Sequence, residues 1–106
     1  MTAQEPSGAV DFGYLESFTA GDRQVILEVL ALFEDQARKW EVGLAGAGPG
    51  WQDLVHTIKG AARGIGASAL GDVCAACEAS GPEDLPAIRV ALDAVLAEIA
   101  AYRARA

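Results

Sequence analysis

Positive charge is scarce in this chain. Lys and Arg number 8 against 15 Asp and Glu, giving a formal net charge of −7 over 106 residues. Phosphate backbones are held by clustered Lys and Arg, so nucleic acid is not the expected partner. Anionic membranes are disfavoured for the same reason. No apolar run reaches the ~18 residues of a membrane span. The stretch Met1 to Asp11 is polar and acidic and lacks the basic-then-apolar form of a signal peptide. A cytoplasmic location is therefore expected. Nucleotide-binding glycine motifs are also missing, both G-x-x-x-x-G-K-[ST] and G-x-G-x-x-G after a strand. The chain is not expected to use ATP.

Cysteine is nearly absent too: Cys74 and Cys77 form one C-x-x-C. Zinc takes four ligands, or three and a water, so the single histidine would have to join them. A redox pair or half a metal site is the sharper reading. The plainer one fits better, because Leu70, Val73, Cys74 and Cys77 share one helical face and a free cysteine packs as a small hydrophobe.

Nothing alternates apolar and polar for long, and no internal repeat occurs. What is present is helical: abundant Ala, Leu and Glu in a chain that is 52% hydrophobic. At this length it forms one domain with a single modest core. Residues 1–10, with Pro6, Ser7 and Gly8, read as a flexible arm ahead of a domain over 11–106. Asp11 can cap a short helix carrying Phe12, Leu15 and Phe18, which Gly21 ends. Asp22 can cap a second, apolar at Val25, Ile26, Val29, Leu30, Phe33, Ala37 and Trp40. Its outer side offers Glu34 with Arg38 and Asp35 with Lys39 as i, i+4 pairs. Gly43, Gly46, Gly48, Pro49 and Gly50 should end it in a loop.

A third helix is expected from Trp51 to Ile65, closed by Gly64 and Gly66, and a fourth from Ser68 to Ser80. Pro82, Glu83 and Asp84 start a fifth, apolar at Leu85, Ile88, Leu92, Val95, Leu96 and Ile99 and basic at its end. Trp40 and Trp51 read as core or end-plug residues. Short connections between amphipathic helices predict an all-α, up-down antiparallel four-helix bundle with a short extra N-terminal helix.

The stretch from His56 to Gly66 carries the chemistry. His56, Lys59, Gly60 and Arg63 fall on one helical face, opposite Leu54, Val55, Ile58, Ala61, Ala62 and Ile65. The imidazole therefore points away from the apolar stripe. Gly60 is its i+4 neighbour, and glycine inside a helix costs about 0.5–1 kcal/mol relative to alanine. A glycine kept there points to something large that must approach the ring.

His56-x-x-Lys59-Gly60, five further residues, Gly66-Ala67 and then Leu70 resemble the signature of histidine-containing phosphotransfer (HPt) domains. Gly21-Asp22, the run Leu30 to Asp35, Cys74 and Glu78 add to the likeness, which covers residues 11–103. Ala61 and Ala62 stand where many members carry small hydroxyl residues, and Arg63 is less usual.

The resemblance implies a bacterial phosphocarrier with no nucleotide site of its own, and a monomer. Its partners would be receiver domains of a hybrid histidine kinase and of a response regulator. His56 would attack a receiver phospho-aspartate, by analogy through Nε2, and later pass the group to another receiver aspartate. Lys59 would place charge beside the phosphoryl oxygens, and Gly60 would give clearance. Arg63, Gly64 and Gly66 would lie where the partner docks. No cofactor of its own is implied; Mg²⁺ would come with the receiver. Length and Met1 fit a free-standing carrier, although a domain cut from a larger kinase would look similar. A helical adaptor that binds a receiver or kinase without phosphorylation is the alternative from another class. A thiol redox protein is a third, and it requires exposed, acidified cysteines.

Overall fold

The computed structural model describes residues 8–46 and 48–105, and all regular structure among them is helical. The elements are α1 (Phe12–Phe18), α2 (Arg23–Leu44), α3 (Trp51–Gly64), α4 (Ser68–Ser80), a 3₁₀ turn (Pro82–Asp84) and α5 (Leu85–Ala104). Local chemistry sets their starts. The Asp11 carboxylate accepts the Tyr14 N–H at 3.0 Å, and Asp22 accepts the Val25 N–H at 3.2 Å. Both satisfy donors that a helix N-terminus leaves open. α3 ends in a Schellman turn: Ala67 N–H reaches back to Ala62 C=O at 2.8 Å, with Gly66 at φ +80°.

Helical spacing then places one buried stripe on each longer helix. Ile26, Leu30, Phe33, Ala37 and Trp40 come from α2, and Val55, Ile58 and Ala62 from α3. Leu70, Cys74 and Cys77 come from α4, and Ile88, Leu92, Val95 and Ile99 from α5. They meet in one core, which holds no polar or charged side chain among the described residues. Leu92 is fully buried there, and its truncation to alanine should cost about 2–5 kcal/mol. α2 packs on α3 and α5, and α4 packs on the same two, so the longer helices close a ring. α3 and α4 make the most extensive contact and run antiparallel, with His56 and Lys59 facing Glu78 and Arg63 facing Asp72. α1 lies over one end, where the Phe12 and Tyr102 rings stack at 4.2 Å.

Several expectations need correction. α2 ends at Leu44, inside the expected glycine-rich stretch, so Gly43 lies in its last turn and not in the loop. A Cβ at Gly43 would stand 2.7 Å from Leu54 Cδ2, so this glycine lets α3 approach closely rather than ending the helix. The expected i, i+4 ion pairs on α2 are replaced. Arg38 pairs with Asp35 at 3.3 Å, one turn back, and Glu34 instead reaches Arg103 of α5. Residues 1–7 of the predicted arm lie outside the described residues, but its end is fixed. Ala9 and Val10 are buried, and their N–H groups donate to the Glu98 carboxylate at 3.1 and 3.0 Å. No helix among the described residues is long and apolar enough to cross a membrane.

Candidate functional site

α3 turns Val55, Ile58 and Ala62 inward, and the same periodicity lifts His56, Gly60, Arg63 and Gly64 to the outside. The His56 side chain is 74% exposed. Lys59, expected beside it in solvent, is only 20% exposed, because its stem lies in the seam between α3 and α4.

Glu78 of α4 draws it there. Lys59 Nζ donates to Glu78 Oε1 at 2.5 Å, and His56 Nδ1 lies 3.2 Å from Glu78 Oε2. One carboxylate thus joins the two residues of the motif. The Lys59 hydrogen bond, followed by that of His56, outweighs partial desolvation and holds the Glu78 carboxyl below its ordinary value. An ionised carboxylate only accepts. In the neutral ring the contact is a hydrogen bond only in the tautomer that carries the proton on Nδ1 and leaves the Nε2 lone pair free, so Glu78 favours that tautomer. The arrangement presents an imidazole on an open surface, with a cation and an anion beside it.

The glycines divide by role. A Cβ added at Gly60 or Gly64 would meet nothing within 4 Å, so both leave open space on the histidine's ridge. Gly66 does not. A Cβ there would lie 2.9 Å from the Asp11 carbonyl oxygen and 3.1 Å from Tyr14 Cδ2, and Asp11 N–H donates to Gly66 C=O at 2.9 Å. Its space is filled by the chain's own N-terminal segment, so Gly66 serves the turn that joins α3 to α4 and packs against α1. Arg63 leans toward α4 with Nη2 3.9 Å from Asp72 Oδ1.

The Hpt domain family matches residues 26–104, a span that contains His56, Lys59, Gly60 and Glu78. The chain belongs to this family. It is similar to a solved structure, the histidine phosphotransferase ShpA from Caulobacter crescentus, with 56% sequence identity and a TM-score of 0.83. That match covers 92% of this chain and 93% of that one. No match was found among curated proteins. Hpt domain proteins are phosphocarriers, and histidine phosphotransfer in a phosphorelay is the activity that membership gives this chain.

The Hpt cysteines lie beneath this site and not in it. Cys74 and Cys77 are free and fully buried. Burial, and then the nearby Cys77, pushes the Cys74 thiol up to about 11. Burial also raises Cys77, whose Sγ donates to the Gly81 carbonyl at 3.3 Å. A redox pair needs the opposite shift and accessible sulfur. Core packing accounts for both residues.

Sequence reasoning noted Glu78 as part of the family likeness but gave it no role. Its separation of 22 residues from His56 conceals the contact. The available signal was the motif's own lysine, a cation on a helix that packs against one carrying a glutamate.

The Hpt site also has an apolar flank. A groove of about 360 Å³ runs between α2 and α3, lined by Phe18, Val29, Leu32, Gln36, Ala61 and Gly64 among others. Phe18 is 69% exposed and Leu32 61%, and the two lie together on this groove.

Proposed function

We propose that His56 takes a phosphoryl group from the phospho-aspartate of one receiver domain and delivers it to the aspartate of another. Those receivers would be parts of a hybrid histidine kinase and of a response regulator. The observation that carries this reading is the Glu78 contact to Nδ1, which leaves Nε2 as the free nucleophile. The Nε2 lone pair attacks phosphorus in line, the N–P bond forms, and the P–O bond to the aspartyl carboxylate breaks. Nε2 has no proton to lose, so the ring becomes cationic while Nδ1 keeps its hydrogen. Glu78 offsets that charge as it develops. Lys59, held by Glu78, stands one turn away to face the phosphoryl oxygens.

Phosphoryl transfer is largely positioning and electrostatics. On this reading the chain contributes a rigid rod and a nucleophile, and the receiver brings Mg²⁺. The donors here do not suit that ion: Lys59 already occupies one oxygen of the carboxylate that binds His56. Gly60 and Gly64 give the receiver its approach, and the groove beside Phe18 and Leu32 takes its apolar side chains. The same reading has one domain over 11–106, its four longer helices in up-down order, acting as a cytoplasmic bacterial monomer.

The test is transfer from radiolabelled phospho-receivers to the wild-type chain and to His56→Gln. Label on the wild type alone, lost in acid and kept in base, is the expected result. Receivers that bind without transferring label would favour the adaptor reading instead.

A further inference from the structure

Arg63 sits seven residues after His56, about 10 Å along the helix axis. Its direction is fixed by α4. The stem lies flat over Gly71, where an added Cβ would stand 3.0 Å from Arg63 Cγ and 3.1 Å from Nε. Gly71 is buried within α4, where glycine is less stable than alanine. The missing side chain is what leaves the arginine its path. At the end of that path Nη2 lies 3.9 Å from Asp72 Oδ1. The arginine side chain is 53% exposed and the aspartate 79%.

We propose that Arg63 recognises an acidic side chain on the docking receiver, and that Asp72 competes for Arg63 and sets how strongly the receiver is held. The proposal rests on the receiver-docking reading above. The guanidinium reaches across to Asp72 of α4, and its assigned target is the receiver's surface rather than the phosphoryl group. A planar fork whose stem lies against α4 matches a carboxylate. Asp72 already shows which chemistry it accepts. An exposed pair at this separation is weak, so an incoming carboxylate can displace it. Lys59, the cation of the motif, is engaged by Glu78, only 20% exposed, and assigned above to the phosphoryl group. Arg63 is therefore the cation this ridge offers to a partner, in a chain whose net charge of −7 otherwise repels acidic surfaces.

The experiment measures kcat and KM for phosphotransfer to the full chain from a receiver that labels the wild type, at low and high salt. Arg63→Ala should lower kcat/KM about tenfold through KM, with kcat unchanged and the loss shrinking in high salt. Asp72→Asn should raise kcat/KM about threefold. The double variant should match Arg63→Ala, because Asp72 acts only through the arginine. Gly71→Ala keeps both charges but displaces the stem, so it should reduce kcat/KM while the fold holds or gains stability. An Asp72→Asn variant with unchanged or lower kcat/KM overturns the proposal. So does an equal gain on the Arg63→Ala background, which would be a bulk charge effect, or a loss from Arg63→Ala that falls on kcat. Transfer that ignores Asp72 overturns this inference alone. Absence of transfer to the wild type from every receiver overturns the docking reading and this inference with it.

Discussion

His56 Nδ1 and Glu78 Oε2 lie 3.2 Å apart, and the contact ties the proposed nucleophile of α3 to α4. The ring is thereby oriented from its far side. The near side, Nε2, stays open to whatever docks on α3. An exposed histidine without such a partner would sample both tautomers and several rotamers, and only part of that ensemble could attack.

Removing the partner should therefore lower reactivity and leave the fold intact. Glu78→Ala is expected to slow phosphotransfer about tenfold, or ~1.4 kcal/mol of barrier. Glu78→Gln, which retains an acceptor oxygen, should recover part of the loss. Nitrogen NMR of the ring gives the independent readout: the wild type should show a protonated Nδ1, and Glu78→Ala a mixture. A ring whose tautomer does not respond to Glu78→Ala would dissociate the contact from the chemistry.

Glu78 also carries a pH signature. Lys59, and then His56, lower its carboxyl below the ordinary 4.5. A depressed folded-state value adds stability that is present above 4.5 and is lost as pH falls through the lowered value. Carbon NMR of the Glu78 carboxyl should give a midpoint under 4.5, and Lys59→Met should move it upward. A midpoint at or above 4.5 in the wild type would mean that Lys59 does not hold the carboxylate in solution.

Gly60 should separate stability from function. Nothing in the protein occupies the place of its missing side chain. Gly60→Ala should therefore stabilise α3 by about 0.5–1 kcal/mol, a rise of roughly 3–6 °C in Tm. On the proposed docking over this ridge, phosphotransfer should fall, because the new methyl group would stand in the receiver's approach. Calorimetry beside the transfer assay tests both directions, and an unchanged rate would remove Gly60 from the approach path.

Much of this was legible along the chain. The caps at Asp11 and Asp22, the limits of α4 and the outward His56 follow from residue types at helical spacing. What failed had one cause in common: it depended on a neighbour distant in sequence. Gly43 reads as a helix stop, but Leu54 explains it. Gly66 shows a positive φ and a close approach of Asp11 and Tyr14 that its own neighbours in sequence do not announce. Glu34 has a suitable partner one turn on, yet it binds Arg103. Periodicity reports which face a residue takes, and it carries no information on which helix that face will meet.

The cysteines give the last prediction, and it concerns the core beneath the site. A thiolate is the reactive form of cysteine, and burial keeps both thiols neutral: Cys74 rises from 9.0 to about 11, and Cys77 moves in the same direction. An aromatic disulfide reagent at pH 8 should label neither in the native protein and both in denaturant. The sign of the pH effect follows from the same shift. The unfolded chain ionises near 9.0 while folded Cys74 resists, so stability should decline between 9.0 and about 11. Cys74→Ala should weaken that decline, lower stability by about 1 kcal/mol through the lost packing, and still accept phosphate on His56. Rapid labelling of either native thiol would restore the redox reading that their burial argues against.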